Sequence, residues 1–309
     1  MFSGLVAACA AVLVAAQSSI PLSSGLQSIL AEEAASVRAA YPTNLTQGIV
    51  PKGFHSHNDY WRRVPFWSAL AAGATSIEAD VWLYNGTLYV GHDESALSPS
   101  RTLDSLYLQP LLQVLRAQNP ASPFVAGGPT RNGVFDTAPG QTLHLFIDVK
   151  TDGPTTWPQV VGALGPLRRA GYLTSVDGAA VAPGPVTVVG TGNTPRGLVE
   201  GVSPRDYFWD GPLATLNGTD AHVTRGVSPV ASADFAAVLG PVVGGPALDA
   251  DQTARLRAQV AHAHAKGILV RYWDLPGWPV GTRNAVWRIL ADAGVDLINV
   301  DDLAAIADF

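Results

Sequence analysis

The chain has 309 residues, which fits two ordinary domains or one α/β barrel with its loops. Hydrophobic residues make up 47% and charged residues 14%, so a large core is available and general disorder is excluded. The net charge of -6, with lysine only at Lys52, Lys150 and Lys266, excludes a nucleic-acid partner and polybasic membrane targeting.

Met1 to Ala16 carries no charged side chain, and Leu5 to Ala16 is an apolar run of 12. That is too short to span a membrane and right for a signal-peptide core, with the small residues Val14 and Ala16 at the cleavage positions. The run predicts a signal peptide over 1–16, cut before Gln17, and a secreted protein; a buried N-terminal helix is the other reading. Cys9, the only cysteine, lies in this segment, so the mature chain would hold no disulfide. Sequons at Asn44, Asn85 and Asn217 predict a glycoprotein. Residues 17–48 read as a helical extension: Leu26, Ile29, Leu30 and Val37 share helical spacing, which predicts a helix over Leu26–Ala40 placed to cover one end of a barrel.

From residue 49 to 309, apolar β-type runs alternate with helical ones. Strands are predicted at Ile49–His57, Ser76–Leu83, Leu143–Lys150, Val186–Gly190, Tyr207–Trp209, Ile268–Trp273 and Leu297–Val300, with a weaker one around Val227–Val230. Helices are predicted at Pro65–Ala72, Leu103–Ala117, Trp157–Ala170, Asp251–Lys266 and Arg283–Ala293. Gly73, Gly171, Gly267 and Gly294 each follow a helical run, where a helix end favours glycine. Asn85-Gly86 predicts a two-residue hairpin that extends the second strand. Residues 119–142, 191–205 and 240–248 read as loops. The alternation predicts an α/β fold, a TIM-type (β/α)8 barrel with a β-hairpin inserted after the second strand.

In such a barrel the chemistry sits at the C-terminal strand ends, and the polar residues fall there. Glu78 and Asp80 are i and i+2 on one strand, so both face one side. Two carboxylates held together inside a barrel need a cation, and hard oxygen ligands suit Mg²⁺, with Ca²⁺ as the alternative. Asp148 provides a third carboxylate, and Lys150, again i+2, can hold a phosphate oxygen. Asn58 or water would complete the ligand set. His57 and His92 flank this centre, a pair suited to general base and general acid work on a phosphodiester. His57 either deprotonates the attacking group or attacks directly. His55, one layer deeper, would orient a ligand or His57. Asp301 and Asp302 either bound the pocket or cap a loop, and His262 and His264 read as structural.

The Ser56-His57-Asn58-Asp59-Tyr60 run resembles the first catalytic histidine and adjacent metal-binding asparagine of phosphoinositide-specific phospholipases C. Glu78-x-Asp80 followed by His92-Asp93 looks like the core of glycerophosphodiester phosphodiesterases, and the fuller set with Asp148, Lys150 and Trp273 is similar to sphingomyelinase D. From His55 through Trp82 to Leu103 the chain most resembles the fungal altered inheritance of mitochondria protein 6 family, within the PLC-like phosphodiesterase superfamily. The resemblance implies a barrel with one divalent metal ion, two-histidine chemistry on a phosphodiester or phospholipid substrate, substrate contact by Trp273 and transient contact with a membrane surface. Two readings from other classes stand beside it. One is an amidohydrolase-like metal hydrolase using His55 and His57 as a ligand pair. The other is a catalytically silent barrel that binds lipid or sugar.

Overall fold

The computed structural model describes residues 22–34, 36–125, 128, 130–242 and 248–309, so the predicted signal segment lies outside the described residues. The chain divides into two units, residues 1–41 and 42–309. In the first, the helix runs only over Ser24–Ala34 and a 3-10 turn follows at Val37–Ala39, so the predicted helix to Ala40 stops short. No helix among the described residues is long and apolar enough to cross a membrane.

The second unit is a barrel. Its strands in chain order are β1 (Lys52–Ser56), β2 (Ala74–Tyr84), β3 (Thr87–Val90), β4 (Leu143–Val149), β5 (Ser175–Asp177), β6 (Ala180–Ala182), β7 (Val186–Gly192), β8 (Phe208–Trp209), β9 (Gly211–Pro212), β10 (Val230–Asp234), β11 (Leu269–Trp273) and β12 (Leu297–Val300). The order β8-β7-β4-β2-β1-β12-β11-β10-β9 is parallel throughout. Only Asp210 separates β8 from β9, so the sheet meets itself and forms a nearly closed barrel of nine parallel strands. Read as one stave interrupted at Asp210, β8 and β9 give the eight staves of a TIM-type barrel.

Burial explains the strands. Ala74 to Val81 of β2 are all buried, as a strand covered on both faces requires. Beyond Val81 the strand leaves the barrel and pairs antiparallel with β3 through the predicted Asn85-Gly86 turn. The helix Trp67–Ala72 ends where predicted, at Gly73, whose φ of 87° lets its N–H reach the carbonyls of Ala69 and Leu70.

Four stretches of the barrel unit differ from the expectation. The helix over Trp157–Ala170 is two, Gly153–Ala163 and Gly165–Arg169, because Gly165-Pro166 interrupts the run. The loop 191–205 contains a short helix, Arg196–Glu200. The weak strand at Val227–Val230 begins only at Val230, after Pro229, which has no N–H to give a ladder. The fourth correction is at β5 and β6, a small separate hairpin in a stretch with no predicted element.

Inside the barrel, Phe146, Val189, Val230 and Leu297 form a buried apolar plug against which Leu269 packs. Two residues further along β4, β7, β10, β11 and β12, the same face turns polar with Asp148, Thr191, Ser232, Arg271 and Asn299. The plug therefore makes a dry floor, and the C-terminal mouth above it holds the titratable groups.

Candidate active site

Glu78 and Asp80 project from the buried part of β2 and are 4% and 1% exposed. Asp80 and Asp148 are register partners across β2 and β4, which brings their carboxylates together. Glu78, Asp80 and Asp148 each offer an oxygen within 4.8 Å of the others. Lys150, just past β4, places Nζ 3.0 Å from Asp80 Oδ2 and 2.9 Å from Asp148 Oδ2. Asn58 has left-handed backbone (φ 47°), and its N–H donates to Glu78 Oε2 at 3.0 Å. Asn58, His57 and His92 line the same cavity of about 440 Å³ as the three carboxylates and Lys150.

The histidines of β1 separate. His55 is fully buried, pairs through Nδ1 with Ser76 Oγ at 2.7 Å and sets its ring edge-on to Phe146 at 4.9 Å. Burial, and then Arg271, push its pKa down to about 3, so it is neutral. His57 follows the end of β1 and lines the cavity; its Nδ1 lies 2.8 Å from Asp301 Oδ1, and its Nε2 lies 3.7 Å from Glu78 Oε2. Asp301 thus reaches the site through His57 and lines a neighbouring cavity, whereas Asp302 caps the helix Leu303–Ala307 and pairs with Arg283. His55 Nε2 also turns toward Glu78 Oε2, at 3.9 Å, but His55 is sealed from solvent and does not line the cavity, so the two imidazoles do not form the open ligand pair of an amidohydrolase-like site. His262 and His264 bond Leu216 O and Asp296 Oδ2, in structural roles as expected.

Three residues at the site are absent from the predicted set. Arg271 is buried in the barrel, 3.6 Å from Glu78, 3.9 Å from Asp210 and bonded to Asn299 at 3.0 Å. An arginine two residues before Trp273 on one strand shares its inward face, which was the readable signal. Asp210 lines the cavity and accepts from Thr191 at 3.1 Å. It follows the predicted strand Tyr207–Trp209 directly, so the strand-end rule that selected Asp148 also reaches it. Tyr60 packs its hydroxyl 2.6 Å from Asp80 Oδ2, and no periodicity marks a turn residue.

The charges test a metal site. Glu78, Asp80, Asp148, Asp210 and, at the exposed rim, Asp274 face the cations Lys150 and Arg271 around one cavity, leaving three negative charges when all five acids are ionised. Burial and the neighbouring Glu78 and Asp148 raise Asp80 to about 7, and burial raises Asp210 to about 6. Burial also opposes ionisation of Glu78, but His55 and Arg271 hold its carboxyl below the usual range. Burial of so many carboxylates in one dry place disfavours their ionisation, a cost that one divalent cation would relieve. Asp148 Oδ1 is buried without a hydrogen-bond partner among the described residues. An all-oxygen donor set of this kind fits a hard divalent ion.

A TIM-type barrel whose mouth gathers an acidic triad, a lysine and two imidazoles defines the class, a phosphodiesterase barrel. Residues 43–210 match the family described as the AIM6-like phosphodiesterase domain, and the chain belongs to that family. It is 49% identical to the altered inheritance of mitochondria protein 6 homolog of Arthroderma benhamiae, over 99% of this chain and 98% of that one. It is 40% identical to altered inheritance of mitochondria protein 6 of Eremothecium gossypii, over 82% of this chain and 68% of that one. The Saccharomyces cerevisiae protein of the same name is 33% identical, over 84% of this chain and 71% of that one. No solved structure matches the chain.

These relatives correct the expected compartment. They are named for the inheritance of mitochondria, not for secretion. The apolar run that suggested a signal peptide lies outside the described residues. Secretion is withdrawn, and with it the glycosylation inferred from the sequons.

Proposed function

We propose that the barrel unit forms a metal-dependent phosphoric diester hydrolase for a glycerophosphodiester or phospholipid-type substrate. The observation that carries this reading is the meeting of Glu78, Asp80 and Asp148 within 4.8 Å beside two imidazoles in one cavity. The three carboxylates, with the Asn58 amide, would hold one divalent cation, Mg²⁺ by preference. When bound, the cation neutralises phosphoryl oxygens and makes phosphorus more electrophilic. Lys150 sits between Asp80 and Asp148, where its ammonium can also bind a phosphoryl oxygen. His57, oriented by Asp301, takes the proton of the attacking oxygen or itself attacks phosphorus. His92 gives a proton to the leaving oxygen. Attack by a substrate hydroxyl instead of water would use the same transfers and leave a cyclic phosphate. Trp273 lines the cavity and offers a ring face to the leaving group. A lipid substrate would bring the mouth to a membrane surface.

The test is turnover of bis(p-nitrophenyl) phosphate and of glycerophosphodiesters, with products read by phosphorus NMR. Turnover is expected with Mg²⁺, lost in chelator and restored by adding Mg²⁺ back. Full activity of Glu78→Gln/Asp80→Asn in chelator sinks the metal-dependent reading. Absence of turnover on every phosphodiester, with retained lipid binding, favours the silent barrel.

A further inference from the structure

His92 is the loosest of the groups given a chemical role. It follows β3, its side chain is 50% exposed, and among the described residues its hydrogen bonding is confined to one partner, the Tyr60 hydroxyl at 3.0 Å from Nδ1. Asp80 Oδ2 stands 3.6 Å from the same nitrogen, beyond hydrogen-bond length. The His92 ring lies nearly parallel to Tyr60, with centroids 6.5 Å apart, and tilted against Trp61 at 5.2 Å.

Tyr60, by contrast, is held firmly. The left-handed Asn58 turns the chain into the 3-10 turn Asp59–Trp61. Buried Asp59 locks that turn by accepting from Ser56 Oγ at 2.7 Å and from the Phe66 N–H at 2.6 Å. The Arg101 guanidinium donates to the Tyr60 carbonyl. Tyr60 is therefore fixed on both sides, 2% exposed, with its hydroxyl in contact with Asp80 Oδ2, Asn58 Oδ1 and His92 Nδ1.

A phenol has one proton to give and two lone pairs to receive with. With the cation bound and Asp80 ionised, two of its three neighbours here are oxygens that only accept, a carboxylate and an amide carbonyl. The group left to donate into the phenol is the Nδ1–H of His92. We infer that Tyr60 is the positioning residue of His92. The chain runs from His92 Nδ1–H to the Tyr60 oxygen and from the Tyr60 proton to Asp80. It holds the imidazole in one tautomer and leaves Nε2, on the other edge of the ring, for the substrate. The half-exposed imidazole thereby takes its orientation from the buried frame that also holds the acidic triad. This inference rests on the proposed function for the role of His92, and on geometry alone for its tautomer.

Tyr60→Phe removes the hydroxyl and keeps the ring shape. The full chain with Mg²⁺, labelled with ¹⁵N, is examined by two-bond imidazole correlation at a pH where the ring is neutral, with His92→Gln assigning the signal. Wild-type His92 is expected as the Nδ1–H tautomer, shifting in Tyr60→Phe toward the Nε2–H form that free imidazole prefers. The same substitution should lower kcat by about 10–100-fold, the usual weight of an orienting partner, with KM changing far less. An Nε2–H tautomer in the wild type, an unshifted tautomer in Tyr60→Phe, or an unchanged kcat each overturns the inference. If the wild type turns over no phosphodiester, the proposed function fails, and the nitrogen spectrum still decides whether Tyr60 sets the ring.

Discussion

His55 and His57 stand two residues apart at one strand end and occupy different media. The His57 side chain is 25% exposed to the cavity, and its contact with Asp301 orients the ring. His55 is sealed below it against Phe146 and Ser76. Removing His57 therefore takes away a proton carrier and little packing, and His57→Ala should lower kcat by about 10²–10⁴-fold with its melting temperature nearly kept. Removing His55 opens a void and strands the Ser76 hydroxyl, at roughly 1–3 kcal/mol for the unmet buried group, so His55→Ala should melt earlier and keep measurable activity. Parallel kinetics and thermal melts decide it; a dead His55→Ala beside a working His57→Ala reverses the two roles. The difference between these histidines was legible in the sequence, because Asn58-Asp59 reads as the turn that ends the strand. The Tyr60 contact was not, since it depends on how that turn folds back, a matter of torsion angles rather than spacing. Arg271 and Asp210 lay between these cases: both sat at readable strand positions, but their partners come from other strands.

The element that shapes the acidic triad from outside is the end of β7. Gly192 has φ 62°, and a Cβ built there would lie 2.0 Å from Asp148 Oδ1 and 2.9 Å from the Val149 carbonyl. Glycine is thus required twice, by backbone conformation and by the room that the Asp148 carboxylate occupies. Gly192→Ala should push Asp148 away from Glu78 and Asp80, weakening Mg²⁺ binding by about 10–100-fold, comparable to losing a ligand's support. Calorimetric titration with Mg²⁺ reads this without any substrate, and unchanged affinity would remove Asp148 from the ligand set. At this scale long apolar strands were readable because both faces are buried. The stave that β8 and β9 share was read only in its first half. Two-residue pieces around a charged Asp210 carry no periodicity, and only closure of the barrel makes them strands.

The barrel as a whole also buries ionisable groups at the end away from the site. His144, near the start of β4, is 5% exposed, and its Nδ1 has no hydrogen-bond partner among the described residues. It lines a second cavity with Thr142, Thr174 and Thr187. Burial pushes its pKa from 6.5 down to about 4. Below 6.5 the unfolded chain takes up a proton at His144 that the folded barrel refuses, so this residue's share of stability is complete above 6.5 and is lost as pH falls toward 4. The loss is on the order of 3 kcal/mol across that window. Buried acids with raised pKa, Asp59, Asp80, Asp148 and Asp210, act in the opposite sense, because folding makes them hold protons more readily. The slope of the wild type alone therefore mixes both. Comparison with His144→Gln, which cannot titrate, isolates the histidine. Denaturant unfolding in chelator at a series of pH values should show the wild type losing stability relative to His144→Gln between pH 6.5 and pH 4. A difference that stays constant over that range would mean that His144 is solvated or protonated inside the fold, and the barrel end around it would then be open to water.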